Sequence, residues 1–368
     1  MNIRRVESRQ LVWSVAASVT LMLAGVSAHG QSIGSVSGSP SHGASVVISG
    51  SSFGTKPTAA PIKWDDFERG TDGTPVKVSD GWSSVDGWDG SSHSHPPYYS
   101  TAGKHAGNLG VTFPFVDGTY NSSMLRYGDF ANGFYIDFWY RYQPATPNAS
   151  RNNKIFLVYG TNSDYPQVHF AGHCDLGGSI LFDMRASTAG GSVDYTGMNQ
   201  NNVIGGELRH VQVWMDPSDP GAANGVIWAA LDGRVISDRN DMRSYIAGGG
   251  TWNSVRVGYY VAHDGIADCP ASGDAYAFWD NIYIDNTQAR VELGNNAVYS
   301  ACTYREIQVP TDWSSSQITV NVNQGNFQAG DTPYLFVVTA AGAVSPGHQV
   351  VIGGTAPTGP GQPGKPVF

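Results

Sequence analysis

SVRVGYYVAHDG, residues 254–265, is the stretch from which the fold is read. Taken with period two, it separates into two faces. Val255, Val257, Tyr259 and Val261 form an apolar stripe, as a strand against a core requires. Arg256, Gly258, Tyr260 and Ala262 form the other face, where a cation and a phenol stand above two of the smallest residues. Small residues inside a strand mark places where something approaches closely. The pattern therefore predicts a sandwich strand whose outer face floors a cleft.

The neighbouring sequence repeats the theme. Strand-like runs occur at 133–143, 153–160, 165–170, 179–186, 209–216, 225–233 and 275–285, joined by turns rich in Gly, Asn, Asp and Pro. No convincing helix interrupts them. So many short strands within residues 64–287 predict an all-β domain, a two-sheet jelly roll.

Bulk composition agrees. The chain has 46 glycines in 368 residues, 11% aromatic and only 14% charged residues. That balance suits an all-β protein with polar loops and is too aromatic for disorder. Arg4, Arg5 and Arg9 precede an apolar run from Leu11 to Val26, which ends in small residues before Ala28. This order reads as a secretory signal peptide over residues 1–28, so a secreted (extracellular or periplasmic) protein is expected, and no other segment is a candidate membrane span. Its removal takes away three arginines and one glutamate, moving the net charge from −9 to −11. Such acidity argues against nucleic acid as a partner. For an exported chain with three cysteines, a Cys174–Cys269 disulfide is expected, leaving Cys302 free and buried. Oligomeric state is not readable.

The two ends of the chain look like halves of one smaller domain. Val46, Ile48, Gly50, Phe53 and Gly54 follow a Gly/Ser/Pro turn, and the C-terminal part closes with TPYLFVVTAAGAVSPGHQVVIG. These pieces resemble the first and last hairpins of an immunoglobulin-like TIG (IPT) domain. The resemblance implies a small β-sandwich made of residues 32–63 and 288–354, discontinuous in sequence and interrupted by the jelly roll at 64–287. Three successive domains is the plain alternative. Residues 355–368 are a Pro/Gly-rich tail.

Within the insert, the series His210-x-Gln212-x-Trp214, Leu231-Asp232-Gly233, the opening strand and Asp280-Asn281-Ile282-Tyr283-Ile284-Asp285 resembles the concanavalin A-like superfamily. Three shorter places resemble its jelly-roll alginate lyases: Ser122-Ser123-Met124-Leu125-Arg126, Gln167-Val168-His169, and Arg256-Val257-Gly258-Tyr259-Tyr260. Arg256 stands where that family has Lys, and the first motif lacks an acidic residue and one of two arginines. The resemblance implies that Arg126, Gln167, His169 and Tyr260 are catalytic. Arg256, together with Trp139 and Arg141 on the polar side of strand 133–143, is expected to bind substrate.

The chemistry accounts for that set. Elimination in a uronate polymer abstracts a proton beside a carboxylate, and the proton is acidic only if that charge is neutralised as the enolate forms. Arg126, Gln167 and His169 would supply a cation and hydrogen-bond donors, and Tyr260 or His169 would move the proton. Retaining hydrolysis needs two carboxylates about 5 Å apart. The five glutamates, at 7, 68, 207, 292 and 306, lack the spacing of the glucanase strand that supplies such a pair. No cofactor or metal is expected, with structural calcium the one ion left open. Three readings stand: a polysaccharide lyase, a non-catalytic glycan-binding or adhesive module, and an extracellular scaffold.

Overall fold

The computed structural model describes residues 30–76, 88, 90–92, 95–115, 124–128, 133–143, 152–160, 167–172, 180–185, 195–196, 206–219, 221–242, 252–262 and 274–354. In several strands only backbone path and register are described. The strands, numbered in chain order, begin with β1 (Ser32–Ser37), β2 (Ser45–Ser51), β3 (Lys63–Asp65), β4 (Gly90–Ser92), β5 (Tyr98–Ser100) and β6 (Gly110–Phe115). Next come β7 (Met124–Gly128), β8 (Phe134–Gln143), β9 (Asn152–Gly160), β10 (Gln167–Gly172), β11 (Ile180–Arg185) and β12 (Tyr195–Thr196). Then follow β13 (Arg209–Asp216), β14 (Gly225–Leu231), β15 (Arg234–Met242), β16 (Trp252–Ala262) and β17 (Ala275–Asp285). The last are β18 (Arg290–Gly294), β19 (Arg305–Trp313), β20 (Gln317–Asn321), β21 (Tyr334–Val338) and β22 (His348–Gln349). The fold is all-β: a short 3-10 turn at Tyr299–Ala301 is the one helical element among the described residues. None of these residues forms a helix long and apolar enough to cross a membrane.

The strands form three sheets with antiparallel ladders. The first runs β1-β2-β20-β19-β18-β21-β22, so strands from both ends of the chain share it. The second runs β12-β11-β10-β9-β16-β7-β4. The third runs β15-β14-β13-β8-β17-β6-β5, with β3 pairing on β17. The second and third sheets enclose one core. Phe156, Val158, Val255 and Val257 from one side meet Phe134, Ile136, Phe138, Val213 and Trp279 from the other. The first sheet encloses its own core around Val46, Ile48, Phe53, Val291, Leu293, Ile318, Val320 and Val337. In both, alternate residues of each strand supply the apolar face.

The third sheet has no solvent face over Phe134–Tyr140 of β8, His210–Met215 of β13 and Ala277–Asp285 of β17. On β8, Phe134, Ile136, Phe138 and Tyr140 enter the large core, while Tyr135, Asp137 and Trp139 point the other way and are also buried. The first sheet covers them. Tyr135, Trp214 and Tyr283 pack on Ile307 of β19, and a dense polar network surrounds this contact. Gln212 Nε2 donates to Tyr135 Oη, Asp137 Oδ2 and Glu292 Oε1 at 2.9, 2.9 and 2.6 Å, and Gln212 Oε1 accepts from Arg305 at 2.5 Å. Glu292 pairs with Arg290 at 2.7 Å and with Arg305 at 3.2 Å. Lys56 meets Asp285 at 2.6 Å. Buried charges persist only when paired in this way.

Burial raises the Glu292 carboxyl, but Arg290 and Arg305 outweigh it and hold the group at about 2. Burial lowers the His210 imidazole, yet Asp137, 2.8 Å away, outweighs that and raises it above its ordinary value. Cys302 is a free, buried thiol. Cys174 and Cys269, the expected disulfide partners, lie outside the described residues, as do residues 1–28 and 355–368.

Candidate functional site

The second sheet brings the lyase-like positions together by register. Leu157 of β9 is opposite His169 of β10 on one side and Arg256 of β16 on the other. Arg256 is in turn opposite Arg126 of β7. Residues directly opposite in antiparallel strands share a face. His169, Leu157, Arg256 and Arg126 therefore form one row across four adjacent strands. Val158 and Phe156, on either side of Leu157, belong to the core, so the row is on the outer face. Arg256 is half-buried and Leu157 is fully buried.

Tyr260 follows after an irregularity. The β16–β9 register shifts between Val257 and Tyr260, and Gly258 within that shift has φ +71°. A Cβ built on Gly258 would lie 2.4 Å from Cδ1 of Phe113, a core residue of the facing sheet. Gly258 thus turns toward the core and does not floor the outer face, which corrects the strict alternation expected for 254–262. A positive-φ glycine forming a bulge lets the strand place two successive residues, Val257 and Gly258, against the core. Beyond the bulge, Tyr260 stands opposite Lys154, as does Ala171 of β10. Ile155 is in the core, so Lys154 and Tyr260 fall on the outer face with the row.

Two expected binding residues are elsewhere. Trp139 lies on the third sheet at 5% exposure, stacked between His105 (ring centroids 3.4 Å, 7° between planes) and His210 (4.9 Å, 16°). A ring covered on both faces has none to offer a sugar. Arg141, on the same strand, donates to the backbone carbonyls of Gly206 and Ala102 and sits over the Phe278 ring. Neither shares a sheet with Arg256. At Trp139 the polar face of β8 that suggested exposure is covered by His105, His210 and Tyr304.

The register also brings in residues that the motif reading missed. Asp183 of β11 is opposite His169, and Arg185 is opposite Gln167. The alternation Leu181, Asp183, Arg185 within SILFDMRA already placed those two on one face, but it could not say which strand they would flank. Lys154 joins through its pairing with Tyr260.

No family profile matches the chain, and no curated protein matches it. Solved structures similar in fold include polysaccharide lyases. The endo-β-1,4-glucuronan lyase of the fungus Trichoderma reesei aligns over 58% of this chain and 96% of its own, at 13% identity and a TM-score of 0.43. Alginate lyase Aly36B aligns over 49% and 81%, at 10% identity and a TM-score of 0.40. The marine alginate lyase of Aplysia kurodai aligns over 52% and 87%, at 12% identity and a TM-score of 0.38. At such identities and scores no activity transfers.

Proposed function

We propose that the chain is a secreted polysaccharide lyase that cleaves a uronate-containing glycan by β-elimination on the outer face of the second sheet. The observation that carries this reading is the placing of Arg126 directly opposite Arg256, in one row with His169. Two arginines and a histidine in one row of an outer sheet face suit a polyanion lying across it.

In this reading the arginines neutralise the uronate carboxylate as negative charge spreads onto it. The C5–H bond breaks and its proton passes to a base, Tyr260 or His169. The C4–O bond then breaks, the departing oxygen takes up a proton, and a C4–C5 double bond remains. The step needs no oxidant or cofactor. The spacing is compatible. Tyr260 is level with Ala171, two residues beyond His169 on β10. At about 4.8 Å per strand and 3.3 Å per residue, the two backbones are about 12 Å apart, a span that suits one sugar ring. Gln167 is two residues farther, at about 16 Å, which suits contact with the neighbouring sugar. The small sandwich, residues 32–63 with 288–354, is read as the immunoglobulin-like frame that holds the insert.

The excess of 30 acidic over 21 basic residues favours a second reading, a module that binds a glycan without cleaving it. Ultraviolet absorbance separates the two, because elimination leaves a conjugated double bond. The full chain is incubated with alginate, glucuronan, pectate and glycosaminoglycans. A rise on one of them, reduced about 10²-fold or more in His169→Ala and Tyr260→Phe, is expected. No rise on any, with retention of the protein by one immobilised glycan, would establish the binding reading instead.

A further inference from the structure

A pocket of about 200 Å³ lies on the opposite side of the large sandwich from the arginine row, between the β1–β2 turn, the β19–β20 region and β3. Trp64, Asp66, His42 and Asn321 line it. Their backbones are held by ladders and turns. Trp64 pairs with Tyr283, Asn321 pairs with Ser45 and Val309, and Gly43 N–H donates to the Val322 carbonyl at 2.9 Å. Their polar atoms are much less engaged. Asp66 accepts one hydrogen bond, from the Glu68 N–H at 3.2 Å on Oδ1, and its Oδ2 takes none from the described residues. The Trp64 indole N–H, the His42 ring and the Asn321 carboxamide make no hydrogen bond with the described residues either. Asn323, also in the lining, is by contrast engaged, donating to Glu306 and accepting from the Gly325 N–H.

We propose that this pocket is a sugar-binding subsite that takes one neutral hexopyranose unit. The flat indole offers a surface for the C–H face of a pyranose, and its N–H remains a donor. Asp66 and Asn321, which both line the pocket, bring an acceptor and a donor-acceptor pair for sugar hydroxyls. The ring of His42 adds a third polar contact. Pockets for drug-sized ligands run from about 300 to 1,000 Å³, so this one fits a single sugar ring better than a longer segment. No Lys or Arg lines it and Asp66 brings negative charge, so a uronate would be repelled. Selectivity is therefore opposite to that of the arginine row. The pocket would anchor a neutral stretch or branch of a glycan while the other face meets its acidic part.

Isothermal titration of the full chain with methyl β-D-glucopyranoside, methyl β-D-galactopyranoside, methyl α-D-mannopyranoside and glucuronate tests this. Saturable binding of at least one neutral glycoside is expected, with glucuronate at least tenfold weaker. Trp64→Ala and the exposed-site variant Asn321→Ala should each weaken the neutral sugar at least tenfold. Asn321→Ala keeps the test valid should Trp64→Ala disturb the packing around Tyr283. Absence of binding by all three glycosides, tighter binding of glucuronate, or wild-type affinity in Asn321→Ala would overturn the assignment. None of these measurements depends on elimination activity, so the two proposals succeed or fail separately.

Discussion

Gly258 decides where Tyr260 goes. With φ at +71° and the Phe113 ring 2.4 Å from any added Cβ, the position admits no side chain without movement. Gly258→Ala is expected to destabilise by about 2 kcal/mol or more, combining core overpacking with left-handed backbone strain. That corresponds to a melting temperature lower by about 3 °C in a 368-residue chain that melts as one unit, and an unchanged value would remove the bulge from the account. Arg256→Ala tests the row itself. It should reduce elimination about 10²-fold, and an unchanged rate would remove the row from the mechanism. The apolar stripe of the opening strand was legible at Val255 and Val257. The break after them was less so, because a glycine inside a strand is compatible both with a cleft floor and with a bulge. Only the partner strand, with its two-residue step where β16 takes three, distinguishes these.

The strands β8, β13 and β18 each alternate apolar with polar residues, and alternation alone cannot separate a solvent face from one covered by a polar partner. Trp139 was misplaced for that reason: Arg141 and Asp137 beside it suggested water, whereas His105, His210 and Tyr304 surround it. The network that covers this face makes stability depend on pH from both sides. Glu292 has a depressed value, so its contribution is complete above its unfolded value near 4.5 and is lost as pH falls toward about 2. His210 has a raised value, so its contribution is complete below the unfolded value near 6.5 and is lost as pH rises through the folded one. Urea titrations across this range should show a stability maximum between those limits. Glu292→Gln should flatten the acid limb and, by leaving Arg290 and Arg305 without their shared partner, reduce stability by about 3–5 kcal/mol. An acid limb unchanged in that variant would mean that other carboxylates govern it.

At the scale of the molecule, the first sheet and the large sandwich are joined by several buried polar contacts, Gln212 with Glu292 and Arg305, Lys56 with Asp285 and His105 with Glu306, so they should melt together. A single calorimetric transition is expected, with van't Hoff and calorimetric enthalpies equal. Two resolved transitions would show that these contacts are dispensable. All-β architecture was legible throughout, since strand-length apolar runs and turn residues recur along the chain. The pairing of distant segments was less legible, because register between strands hundreds of residues apart leaves no local mark.

The first sheet has a consequence in time. Residues 45–49 of β2 pair with residues 317–321 of β20, so the ladder that completes β2 needs a partner about 270 residues downstream. At synthesis rates of about 5–20 residues per second, β2 waits roughly 15–50 s with one edge open. During that interval the large sandwich can form and bring its own two ends together. The N-terminal hairpin is then the last part to gain its place, and a chain halted before residue 317 would carry an unpaired strand edge, the form most prone to pair with another copy.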